Sequence, residues 1–198
     1  MAKPPHIMNV LKKYQSLQEK EYMVVSSPIH LLEIIKDIID KDLKSWIENE
    51  GAYKYIDELA KKKANRNAED FIQKTIKSQI ELALIKRGFR PSELRIKREE
   101  QTLDDKRIDF TVSYGLVGQI LIELKLDSNV EANSTHKKGQ EYTEKLHQYI
   151  KGSNSDFGIF LIFNVDSARM VFDMQIQKLI EHYSSEELIS VMGINCRV

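Results

Sequence analysis

The sequence has a single cysteine, Cys196, so no disulfide can form within the chain, and a zinc site built on cysteine would lack its ligands. It has no apolar run approaching the roughly 20 residues that a helix needs to cross a bilayer, so no membrane partner is expected. Residues 1–20 carry neither a long apolar stretch nor a small-residue cleavage site. Secretion is therefore not indicated, and the cytoplasm is the expected compartment. Net charge is absent too: 30 basic side chains balance 30 acidic ones, which argues against a protein held to nucleic acid by bulk charge alone. There is no internal repeat and no low-complexity segment.

What is present is an ordinary globular composition, 41% hydrophobic and 30% charged. A length of 198 residues suits one compact unit with a helical prefix. The charges are unevenly spread: residues 1–100 hold 20 basic and 16 acidic side chains, a net +4, and residues 101–198 hold 10 and 14, a net −4. A metal site beside a phosphate-binding surface would look like this. So would two ordinary solvated faces.

Residues 7–20 read as helical. Ser26, Ser27 and Pro28 form a helix start, since serine caps and proline fits the first turn. The stretch that follows places Leu31, Ile35, Ile38, Ile39, Trp46 and Ile47 at three- and four-residue spacing, which predicts a long amphipathic helix. A shorter helix is expected over 52–66. Another covers 67–87, with Ile72, Ile76, Ile80, Ala83 and Leu84 as its buried stripe and Gly88 as its stop. Glu69 extends that stripe at the first turn, where it either favours the positive helix end or projects into a site beside the core.

From Glu93 the period changes to two. ELRIKREEQ, RIDFTVSY and QILIELKL read as strands, with Gly115 and Gly118 marking the turn between the last two. A polar loop, a helix starting at Ser134 or Thr135 with Tyr142, Leu146, Tyr149 and Ile150 on its apolar face, and the strand FGIFLIF follow. That strand is apolar throughout, as one covered on both faces would be. A helix near 173–183 and a strand near 188–197 complete an α/β order.

Parity carries the chemical argument. Asp109, Thr111 and Ser113 share one face of their strand, and Gln119, Glu123 and Lys125 share one face of the next with Leu121. They make a single face only if odd positions pair with odd. A four-residue loop over 115–118 would put Asp109 opposite Leu124, on the wrong face. A three-residue loop puts it opposite Glu123, and a five-residue loop opposite Lys125. An odd loop or a bulge is therefore predicted, which the two glycines permit.

Two carboxylates a few ångströms apart repel, and a divalent cation relieves them. Mg²⁺, or Mn²⁺ in its place, prefers oxygen ligands and retains waters. Asp109, Glu123 and a neighbouring carbonyl, that of Leu124, would leave positions open for a phosphate oxygen and a hydrolytic water. Lys125 would orient that water, help deprotonate it, or stabilise charge developing on the phosphate. Against this stands the plain alternative that Glu-x-Lys on a strand face is common and that acid–lysine cross-strand pairs are mildly stabilising.

These segments resemble the PD-(D/E)XK, or restriction-endonuclease-like, nuclease superfamily. The matching residues are RID, with Asp109 as the motif aspartate, and IELK, with Glu123 and Lys125 as the motif acid and lysine. KLHQYI and GIFLIF are similar to the helix and strand that follow the motif in many members. The resemblance covers residues 67–198, leaving residues 1–66 as a helical N-terminal extension. It implies an α/β fold with a mixed central sheet flanked by helices, with Glu69 as the further acid that the first core helix often supplies. It also implies catalysis by Asp109, Glu123, Lys125 and Glu69, and metal held by Asp109, Glu123 and Leu124. The chain departs from the pattern in two places. Arg107 and Ile108 stand where the motif proline would be, and Lys145 stands in KLHQY where many relatives have glutamine.

The resemblance thus implies a metal-dependent nuclease, with DNA as the expected substrate, of the kind found in bacterial restriction or anti-phage defence. Lys106, Arg107, Lys137, Lys138 and Lys145 are candidate nucleic-acid contacts, with ordinary surface charge as the alternative. His136 and His147 read as solvated. A second class of function is a non-catalytic nuclease-like module that binds nucleic acid or a partner protein. A third is one domain of a larger protein, and the amphipathic helix at 28–48 would also serve as a homodimer interface.

Overall fold

The computed structural model describes residues 22–61, 67–101, 107–129, 132 and 137–197. Ser27 caps the first described helix, α1 (Pro28–Asp37), accepting a hydrogen bond from the His30 amide at 3.2 Å, with Pro28 in the first turn. The helix then passes into a π-helical segment (Ile38–Leu43) and on into α2 (Lys44–Glu48). The reason lies in the spacing of the buried residues. Leu31, Ile35, Ile39, Leu43 and Ile47 recur at every fourth position, and all are 2% exposed or less. In an α-helix each step of four overshoots a full turn by about 40°, so the stripe would wind off the core. The wider π turns under-rotate and bring it back.

Next come α3 (Ala52–Lys61) and α4 (Asn67–Lys86). Gly88, at φ +90°, ends α4 in the left-handed region that favours glycine. The sheet follows in sequence order: β1 (Leu94–Gln101), β2 (Arg107–Tyr114), β3 (Gln119–Leu126), β4 (Phe157–Asn164) and β5 (Ile189–Asn195). β1, β2 and β3 pair antiparallel, whereas β3, β4 and β5 pair parallel. Helices α5 (Lys137–Gly152) and α6 (Arg169–His182) form the two parallel crossovers. The architecture is α/β, with a five-stranded mixed sheet flanked by helices.

Strand alternation divides the core in two. Even-numbered Phe110, Val112, Ile120, Ile122 and Leu124, with odd-numbered Ile159, Leu161 and Phe163 of β4, face α1, α2 and α4 in the larger cluster. Leu121, Phe160 and Ile162 face α5 and α6 in the smaller one. The helices of the expected N-terminal extension therefore bury their stripe against the same sheet, and the apolar face considered for a dimer is covered within the chain. The expected helix over 7–20 lies outside the described residues.

Arg87, just past the end of α4, spans α1 and the π segment, donating to Asp37 at 2.6 Å and to Asp42 at 2.5 Å. Hydrogen bonds from Lys41 and then Arg87 hold the Asp37 carboxyl below the usual carboxylate range, against burial. A depressed folded-state pKa means stabilisation that is present at neutral pH and lost as the pH falls through it. Asp37→Asn should therefore lower stability at neutral and alkaline pH and least at acid pH, so that the acid limb of a stability-versus-pH curve flattens.

The turn between β2 and β3 depends on two glycines. Gly115 sits at φ +53°, and a Cβ on Gly118 would lie 2.9 Å from the Pro28 ring and 2.8 Å from Asp156 Oδ2. Gly118→Ala should cost about 1–3 kcal/mol in urea unfolding. Leu116→Ala, at the wholly exposed tip of the same turn, should cost nothing measurable.

Candidate active site

Strands β2 and β3 pair with Phe110 opposite Ile122, Thr111 opposite Leu121, Val112 opposite Ile120 and Ser113 opposite Gln119. Odd pairs with odd, the register of a three-residue loop. The Val117 amide donates to the Tyr114 carbonyl at 3.1 Å to close the turn. The same register, carried one step beyond Phe110 and Ile122, brings Asp109 to Glu123.

There the backbone ladder stops and side chains take over. The Leu124 amide donates to Asp109 Oδ2 at 2.7 Å, and the Asp109 amide to Glu123 Oε2 at 3.4 Å. β3 keeps its pairing with β4 as far as Leu126 and Phe163. The place where β2 leaves β3 thus holds both carboxylates, Asp109 from β2 and Glu123 from β3.

Each carboxylate is held by further donors. Gln73 of α4, 5% exposed, donates its Nε2 to Asp109 Oδ1 at 2.7 Å. Glu123 is 3% exposed, and its Oε1 accepts from Lys125 Nζ at 2.8 Å and from the Tyr142 hydroxyl of α5 at 2.6 Å. Lys125 Nζ also donates to the Leu124 carbonyl at 3.2 Å and lies 5.6 Å from the centre of the Tyr142 ring. Lys145 Nζ lies 4.8 Å from that centre and 5.5 Å from the centre of the Tyr149 ring. Burial, followed by the negative charge of Glu123, pushes the Tyr149 phenol up, while Lys145 and Lys125 oppose the shift.

The structure thus brings Asp109, Glu123, Leu124 and Lys125 together, with Lys145 one ring away. Glu69 lies in the first turn of α4, Arg107 in β2, and Lys137 and Lys138 at the start of α5; their side chains lie outside the described residues, as do Lys106 and His136. His147 is bonded as well as part-exposed, its Nε2 lying 2.7 Å from Glu186. Asp127, another buried carboxylate, is occupied by the amides of Val165, Asp166 and Ser167 at 2.8, 3.2 and 2.8 Å, and so shapes the loop after β4.

Two residues of the site escaped the sequence reading. Gln73 is a polar residue three positions before Ile76 in a buried stripe, and Tyr142 read only as part of an apolar face. A tyrosine on a buried face needs a partner for its hydroxyl, which was the available signal.

Two carboxylates and a carbonyl are a donor set of hard oxygens that suits Mg²⁺ or Mn²⁺. Lys125 already bridges two of these ligand groups, Glu123 and the Leu124 carbonyl, which marks the spot as one that attracts positive charge. No group of three or more His, Cys, Asp or Glu gathers among the described residues.

A family described as a domain of unknown function (DUF8371) matches residues 31–167, more than two thirds of the chain. The chain belongs to this family. The DUF8371 match runs from α1 to the loop after β4 and so contains Gln73, Asp109, Glu123, Lys125 and Tyr142. No curated protein and no solved structure matches the chain.

Removing Lys125 would leave Glu123 buried with its Oε1 bonded, among the described residues, by Tyr142 alone. Lys125→Met should destabilise the metal-free protein by about 3 kcal/mol, and adding Glu123→Gln should recover most of that loss. A urea-unfolding double-mutant cycle measures both.

Proposed function

We propose that this chain is a metal-dependent phosphodiesterase, a nuclease with DNA as its expected substrate. The observation that supports the reading is the convergence of Asp109, Glu123, the Leu124 carbonyl and Lys125 where the β2–β3 ladder ends. Edge-strand charges that served only solubility would point to water, whereas Glu123 is 3% exposed and the Lys125 side chain 12%.

In this reading Asp109, Glu123 and the Leu124 carbonyl would hold the cation, with Glu69 as the further acid that the resemblance implies. Bound Mg²⁺ or Mn²⁺ would supply Lewis-acid stabilisation of phosphate charge and a more acidic water. Gln73 fixes the rotamer of Asp109. Lys125 exchanges its bond to the Leu124 carbonyl for one to the attacking water or to a non-bridging phosphate oxygen, where its charge stabilises the transition state. Lys145 lies near enough to offer a second cation to the phosphate chain, and the lysines at 137 and 138 open the same helix.

Plasmid DNA, single-stranded DNA and RNA incubated with Mg²⁺ or Mn²⁺ should reveal cutting that EDTA abolishes. Asp109→Ala and Lys125→Ala should each reduce the rate at least about 100-fold. Metal-independent cutting, or unchanged rates in both variants, would rule the reading out. Nucleic-acid binding without cutting, unaffected by either substitution, would favour a non-catalytic binding module.

A further inference from the structure

The donors around Glu123 are unequally divided. Oε1 receives both strong ones, the Tyr142 hydroxyl at 2.6 Å and Lys125 Nζ at 2.8 Å. Oε2 turns toward Asp109 and, among the described residues, accepts only the longer bond from the Asp109 amide, at 3.4 Å. A carboxylate held by one oxygen presents the other in a set direction. Here that direction is toward the backbone amide of Asp109, the residue that carries the other carboxylate.

Tyr142 is well placed to fix it. The residue is 2% exposed, so water does not compete for its hydroxyl, and its ring packs 5.3 Å from that of Phe160, the register partner of Glu123 on β4. Lys125 donates from Glu123's own strand, along a flexible side chain that the proposed chemistry needs to move. Tyr142 donates from α5, across the smaller core. It is also distinct from Tyr149, the tyrosine of the KLHQY segment.

We propose that Tyr142 is a positioning residue. Its hydroxyl anchors Glu123 Oε1, so that Oε2 faces Asp109 as the oxygen that meets the divalent cation, and it keeps that aim when Lys125 turns to substrate. The proposal rests on the nuclease reading above and adds a residue outside the acid, acid and lysine set. An outer partner of this kind typically changes metal affinity or activity by about 10- to 100-fold.

The test uses the full chain and Mn²⁺ as the probe, with free Mn²⁺ counted by electron paramagnetic resonance at a temperature well below the unfolding transition. Tyr142→Phe retains the ring and removes only the hydroxyl. It should weaken Mn²⁺ binding at least about 10-fold and lower kcat more than it changes KM for DNA. Leu146→Ala, a cavity one turn along α5, controls for lost stability; it should lower the unfolding temperature and leave Mn²⁺ affinity within about twofold of the parent. If Tyr142→Phe binds Mn²⁺ like the parent, or if affinity follows unfolding temperature in both variants, Tyr142 is structural only and the nuclease reading is untouched. A parent chain that binds no Mn²⁺ and cuts no nucleic acid removes both ideas together.

Discussion

A buried carboxylate must be compensated, and at Glu123 that requirement organises the surrounding structure. An ionised group at 3% exposure costs several kcal/mol unless charge and hydrogen bonds repay it. Lys125 repays charge from two residues away, and Tyr142 brings a hydroxyl from the helix packed over β3 and β4. Asp109, one strand over, is held in turn by the Leu124 amide and by Gln73 from the opposite side of the sheet. Strands β2 and β3 and helices α4 and α5 thus meet at one pair of acids. The close of the β2–β3 ladder is the geometric condition for that meeting, because amides paired across the strands could not serve the carboxylates.

The helical layer explains how Gln73 comes within reach. Helix α4 lies on the larger core through Ile76, Ile80, Ala83 and Leu84 and is tied to α1 and the π segment by the Arg87 fork. The π turns in turn keep a strict every-fourth-residue stripe facing the sheet. A straight α-helix with that sequence would carry Ile47 away from the core it fills. The family match begins within α1 and runs past β4, so this helical layer lies within the matched extent together with β1 to β4.

Most of the fold could be read from the pattern of residues. The Ser27–Pro28 start, the stop at Gly88, the three period-two strands and the apolar β4 all appear in the structure where local propensity put them. Parity also narrows the β2–β3 turn to an odd loop or a bulge, with Asp109 opposite Glu123 or Lys125, and the structure has the register of the first. The π segment was not legible, because stepping by three or four residues reads as an ordinary amphipathic helix until the phase is followed over five turns. Gln73 and Tyr142 were missed for another reason. Each serves a partner, 36 or 19 residues away, that only helix packing brings within 3 Å.

The sequence by itself determined the order of elements, the faces on which the ionisable groups lie, and the identity of the acids and the lysine. These depend on local periodicity and strand alternation, which act over a few residues. Tertiary structure alone chose the three-residue turn over the five-residue one, ended the ladder at Phe110 and Ile122, and placed the Gln73 amide and the Tyr142 hydroxyl on the two carboxylates. Those choices follow from the space between packed layers. Gly118 has no room for a Cβ against Pro28, and Tyr142 lies against Phe160, so contacts remote in sequence set the geometry of the site.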